Sequence, residues 1–190
     1  MRSILLLAGV MLFVGCSTST QPEGESSVLL PLEVGNVWIG HWEEFDSSGA
    51  TTRTYRDTLR VVGDTLIEGE RRALTGHGSG FVNRPDGLYG WRLTSAPELL
   101  FKYPTAPGEY SVGTPFGPIT IRVVAIDERV TVPAGTFSCY HYAVTAPDSS
   151  FDNHFYYAPD VGNVRNEYND RAPYARTPRA VFELTAYELT

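Results

Sequence analysis

The apolar and polar positions of this chain repeat with a period of two. Across residues 51–62, Thr52, Thr54, Arg56, Thr58 and Arg60 fall on one parity, and Tyr55, Leu59 and Val61 on the other. That alternation suits a strand with one buried and one wetted face. Val37–Phe45 reads as a strand as well, with Trp38 and Trp42 sharing a parity, and Asp46-Ser47-Ser48-Gly49 ends it. Gly63-Asp64 predicts a tight hairpin into residues 65–74, where Gly69-Glu70 suggests a bulge.

Further along, a glycine-rich loop at 75–80 precedes Phe81-Val82, and Arg84-Pro85-Asp86-Gly87 turns the chain into a strand over 88–93. A short strand covers 99–103, and a Pro/Gly loop runs over 105–117. Residues 119–126 alternate at first and then become wholly apolar, as a central strand would. Strands follow at 129–132 and 136–144 around Pro133-Ala134-Gly135, at 152–157 and 161–168 around Ala158-Pro159-Asp160, and finally at 180–189. No helical period and no internal repeat interrupts this order beyond residue 15. The expectation is an all-β domain over residues 28–190, with about ten antiparallel strands in a strongly curved sheet or open barrel.

The first 27 residues follow another pattern. Arg2 is followed by an apolar run of about eleven residues, too short to span a bilayer as a helix. A charged start, a short apolar centre and small residues at the end are the layout of an export signal over residues 1–15. Phe13-Val14-Gly15-Cys16 resembles the lipobox of bacterial lipoproteins, with Phe13 standing where Leu is usual. The resemblance implies that Cys16 carries a diacylglyceryl thioether and further acylation, such as palmitate. Several acyl chains anchor stably where one does not. Ser17 in place of Asp points by the same resemblance to the outer membrane, on its periplasmic side or at the cell surface. Residues 16–27 contain no large apolar side chain and read as a flexible tether.

Composition narrows the functional classes. Removing Arg2 with the signal leaves 14 basic residues against 22 acidic ones, a net charge of about −8, which gives nucleic acid no purchase. Once Cys16 is acylated, Cys139 has no intramolecular partner, and its strand setting makes it a small core residue.

Three stretches are similar to those of an uncharacterised group of bacterial envelope lipoproteins. They are Leu30-Leu-Pro-Leu-Glu-Val-Gly-Asn-Val-Trp38, Val130-Thr-Val-Pro-Ala-Gly-Thr-Phe-Ser-Cys-Tyr140, and Tyr156-Tyr-Ala-Pro-Asp-Val-Gly-Asn-Val164 followed by Phe182-Glu-Leu-Thr-Ala-Tyr-Glu-Leu189. The resemblance implies an open, curved antiparallel sheet, distantly like the lipoprotein-localisation (Lol) carriers, and supplies no catalytic residues. Asn163 departs from the group, which more usually has an apolar residue after this glycine.

Catalytic and metal-binding patterns do not emerge. His41, His77, His141 and His154 lack ligand spacing, and Asp148, Asp152 and Asn153 lack that of a calcium loop. Ser79 has glycine at −1 and +1 where a nucleophile elbow needs it at −2 and +2. Glu43/Glu44 and Asp127/Glu128 are adjacent on strands and therefore face opposite ways. No cofactor and no enzymatic activity is expected. The aromatic faces formed by Trp38 with Trp42, and by Tyr89 with Trp91, are the candidate binding surfaces. They suit a non-enzymatic lipoprotein that binds a hydrophobic ligand or an envelope protein. A structural or assembly subunit of an envelope or surface complex is the alternative, and a glycan-active hydrolase the least favoured reading.

Overall fold

The computed structural model describes residues 27–76, 79–92, 96–114, 117–148, 151–169 and 179–190. The expected signal, Cys16, nearly all of the tether and His77 lie outside them. The described residues form twelve strands and no helix. In chain order these are β1 (Val37–Phe45), β2 (Thr51–Ile67), β3 (Glu70–Thr75), β4 (Ser79–Arg84), β5 (Gly87–Arg92), β6 (Glu98–Lys102), β7 (Gly108–Thr114), β8 (Gly117–Val132), β9 (Gly135–Thr145), β10 (Asp152–Ala158), β11 (Gly162–Tyr168) and β12 (Ala180–Glu188).

All twelve join one antiparallel sheet in the order β6-β5-β4-β3-β2-β1-β12-β11-β10-β9-β8-β7. Two meanders thus meet where the first strand pairs with the last, and the strands from mid-chain, β6 and β7, become the two edges. That topology forces curvature. A flat sheet of this width would hold its edges about 50 Å apart at the usual strand spacing. The link from Lys102 to Gly108 reaches about 20 Å at most. The sheet therefore curls until its edges approach, and Tyr110 on β7 closes the seam. Its hydroxyl accepts the Lys102 backbone N–H at 3.0 Å, and the Lys102 ammonium lies 4.7 Å from the ring centroid.

Curling turns one face of every strand into an interior. Phe101 on β6 meets Tyr142 on β9 at 4.5 Å and Phe155 and Tyr157 on β10 at 5.3 and 5.1 Å, although these strands lie far apart in the sheet. Leu88, Ile121, Val123 and Leu184 are buried with them. The chain entering β1 crosses to the interior as well. Leu29 and Leu30 are buried; the Val28 carbonyl accepts the Asp160 N–H at 2.8 Å, and the Leu30 carbonyl accepts Asn83 Nδ2 at 2.8 Å. This segment ties the β4–β5 side to the β10–β11 turn.

The strands differ from the sequence expectation at four places. The β2–β3 turn is Glu68-Gly69, with φ of 54° and 80°, and the register slip falls between Val61 and Gly63. Turn and bulge are thus exchanged relative to the expectation. Consecutive positive φ angles make the mirror-image turn whose twist matches that of the flanking strands. The Pro/Gly stretch expected to be a loop contains β7, an edge strand whose pairing on one side only tolerates its glycines. Residues 119–126 and 129–132 belong to one strand, β8, which absorbs slips between Val123 and Ala125 and between Ala125 and Glu128. β8 is also next to the edge and not central, and its apolar run leaves Val124 and Ile126 exposed at the irregularity.

Candidate functional site

Alternation along β1 sends Trp38, Gly40 and Trp42 into the interior, and the register supplies their neighbours. On β2, Leu59 pairs with Trp38, Asp57 with Gly40 and Tyr55 with Trp42. On the other side Phe182 pairs with Trp42, and Asn166 on β11 pairs with Phe182. Gly40 matters because it has no side chain. The Phe182 ring lies in the space a Cβ there would need.

The result is a cavity of about 170 Å³ lined by aromatic rings, aliphatic side chains and three polar residues, Asp57, Asn163 and Asn166. An apolar cavity of about 150 Å³ accommodates one benzene, so this one has the size of a single ring and is too small for a long acyl chain. Its walls are held from behind. Trp42 stacks on Tyr55 at 6.1 Å and meets Phe182 at 5.3 Å and Tyr168 at 5.5 Å, while Trp38 Nε1 donates to the Val161 carbonyl. Gly162, at φ 109°, lets the backbone pass close to Leu30 and Trp38, where a side chain would collide with both. The side-chain oxygens of Asn163 and Asn166 are buried without a hydrogen-bond partner, and Asn166 as a whole is 5% exposed. Such an acceptor costs about 1–3 kcal/mol until a donor reaches it.

Of the four aromatic residues expected at a binding surface, the structure brings Trp38 and Trp42 together here. Tyr89 and Trp91 lie elsewhere. Trp91 pairs with Gly80 and Tyr89 with Val82, on the face of β4 opposite to Phe81, which lines the cavity. Trp91 packs beneath Arg72 (5.7 Å), and Tyr89 lies under Arg84 (4.4 Å) and donates to Asp86 at 2.8 Å. The two aromatic pairs were expected to act alike because each shares a parity. Parity relates residues within a strand but does not say which face of a distant strand becomes the interior.

Asp57 and Asn166 were missed by the sequence reading, although Asp57 left a trace. It is a charged residue set between Tyr55 and Leu59 on their inward parity. Asn163 had stood out only as a departure from a motif.

A second polar group occupies the outer face of β8–β10. His141 Nδ1 is 2.7 Å from Glu128 Oε2, and its Nε2 is 2.7 Å from His154 Nδ1. The ring stacks on Tyr156 at 4.3 Å, and His154 Nε2 lies 3.8 Å from Asp152. Burial is the main cause that lowers the His141 pKa, with the Glu128 carboxylate opposing it. Strand pairing thus joins two histidines that sequence spacing left scattered. Among the described residues, no cluster of three or more His, Cys, Asp or Glu side chains is arranged to hold a metal. Cys139 is fully buried, as its strand setting suggested, and burial with the nearby Glu128 pushes its thiol up to about 12.

No protein-family model and no curated protein matches this chain. Two solved structures do. One, provisionally described as an exported protein with a YmcC-like fold from Bacteroides fragilis, has a TM-score of 0.52 at 13% identity. It aligns over 86% of this chain and 100% of its own. The other, provisionally described as a lipoprotein from Parabacteroides distasonis, has a TM-score of 0.46 at 16% identity, over 87% of this chain and 100% of its own. The first likeness establishes the fold of the chain as similar to that exported protein's. At this identity it carries no residue roles across.

Proposed function

We propose that this protein is a lipid-anchored envelope protein that binds a small ligand in its β1 cavity and catalyses no reaction. The carrying observation is the convergence of Trp38, Trp42 and Phe182 around a ring-sized space. Two features support the absence of catalysis. Among the described residues the cavity lining includes one carboxylate, Asp57, where glycoside cleavage uses two, and the histidine pair lies on the opposite face. The size of the cavity favours a ring-bearing ligand over the acyl chain that a Lol-like carrier would hold.

The anchoring part of the reading rests on Cys16 and the segment before it, and the exported character of the fold neighbour agrees with it. Cys16→Ser is expected to abolish palmitate incorporation and move the protein from the outer-membrane fraction to the soluble one. Unchanged labelling and fractionation would refute the anchor.

Binding is tested by tryptophan fluorescence of the detergent-extracted mature protein titrated with ring-sized aromatic probes. Saturable quenching that disappears in Gly40→Leu, with the fold intact by circular dichroism, is the expected result. Absence of saturation for every probe would refute the ligand site. The motif resemblance to envelope lipoproteins and outer-membrane residence belong to this same proposal.

A further inference from the structure

We infer that the His141–His154 pair on the outer face is an acid-operated clasp between β9 and β10, closed while one proton bridges the two rings and opened when each ring carries its own. The sheet builds the pair by register. Tyr156 pairs with His141 and His154 with Ala143, so the rings meet diagonally, Nε2 to Nδ1 at 2.7 Å. β8 supplies a third member through its irregularity. Ala125 pairs with His141 and Glu128 with Cys139, so three steps along β8 match two along β9. The extra residue turns Glu128 onto the face of Cys139 and His141, where its Oε2 lies 2.7 Å from His141 Nδ1. The clasp is independent of the anchor and of the β1 cavity.

The opening follows from where protons can sit. A carboxylate only accepts, so His141 Nδ1 carries the proton of its bond to Glu128. A neutral imidazole has one N–H, which leaves His141 Nε2 as an acceptor, and the proton between the rings belongs to His154 Nδ1. The next proton can go to His154 Nε2 without breaking a bond, and it makes the bond between the rings charge-assisted. A further proton has only His141 Nε2 to go to. Two N–H groups would then face each other across 2.7 Å, and the rings must part. Charged and titratable neighbours come from four strands. They are Glu128 and Arg122 on β8, the latter opposite Ala143, and Cys139 on β9. From β10 come Asp152, 3.8 Å from His154 Nε2, and Tyr156, stacked on His141 at 4.3 Å. From β11 comes Glu167, which pairs across to His154 and lies 2.9 Å from Arg165. Burial holds the His141 pKa below its ordinary value against the pull of Glu128 and Glu167, and His154 adds to the lowering.

The test is nitrogen–proton correlation spectroscopy of the imidazoles in the detergent-extracted mature protein, labelled at histidine and titrated from neutral into acid. Near neutral pH, each ring of the pair is expected to carry a proton on Nδ1, with one far-downfield proton between them. On acidification His154 Nε2 gains its proton first, and the bridging signal stays. The His141 step follows about one pH unit or more lower, the separation of strongly coupled sites. The bridging signal vanishes with it, while the backbone amides of β9 and β10 stay dispersed. His154→Ala should make His141 protonate at higher pH, because it removes a like charge, removes the bond to the neutral ring and admits water. Glu128→Gln should shift His141 the opposite way, which keeps the test alive if the first variant fails to fold. Both rings titrating together, a proton on His141 Nε2 at neutral pH, or a His141 midpoint unmoved in these folded variants would each overturn the clasp.

Discussion

Cys139 and His141 show how a single residue's chemistry is set by its place in the sheet. Both lie on the outer parity of β9, yet they are 0% and 8% exposed. The thiol is driven up to about 12, so almost no thiolate exists near neutral pH. Native protein should resist iodoacetamide for hours and react within minutes in denaturant, as intact-mass measurement would show. His141 tests the same environment by pH. Its folded pKa lies below the ordinary 6.5, because burial outweighs the attraction of Glu128. His154, Glu167 and Asp152 complete the titratable surroundings. Below pH 6.5 the unfolded chain binds a proton that the folded chain resists, so this site's contribution to stability falls as pH drops from that value. Urea midpoints measured at pH 7 and pH 5.5 should therefore differ less in His141→Gln than in the native sequence.

At the scale of the element, the β2–β3 hairpin separates two glycines that look alike in sequence. Gly69 sits at φ 80° directly after Glu68 at φ 54°, and a side chain at a left-handed position costs about 1–2 kcal/mol. Gly63 lies at the register slip, and a Cβ there would meet nothing within 4 Å. Gly69→Val should lower stability by roughly that 1–2 kcal/mol or more, while Gly63→Ala should leave it nearly unchanged in urea unfolding. The opposite ranking would restore the turn to Gly63-Asp64, where the sequence alone had placed it. Strand content was otherwise readable because alternation, Pro and Gly each have a local physical cause. β7 was hidden because its Pro- and Gly-rich surroundings are tolerable at an edge, and edge position is a property of the sheet.

The whole molecule depends on a seam between two edges that are consecutive in the chain. The Tyr110 hydroxyl gives that seam a side-chain hydrogen bond, and burial raises its pKa to about 12. Tyr110→Phe keeps the ring beside Lys102 and removes the bond, for an expected loss of about 1 kcal/mol. Hydrogen exchange should then quicken in β6 and β7 before any other strand. Uniform acceleration over the sheet would mean that the edges are held together in some other way.

By itself the sequence determined an all-β body and the positions of most strands, because the alternation of side chains is a covalent consequence of the extended backbone. It also placed Trp38 and Trp42 on one face. Tertiary structure decided the rest. The pairing of β1 with β12 brings Asn163, Asn166 and Phe182 to residues more than a hundred positions away, and the curl of the sheet decides which parity of each strand is interior. The cavity belongs to this second category. It exists because Gly40 faces Asp57 across one strand pair and Phe182 reaches in from another, and such convergence arises only when the sheet closes.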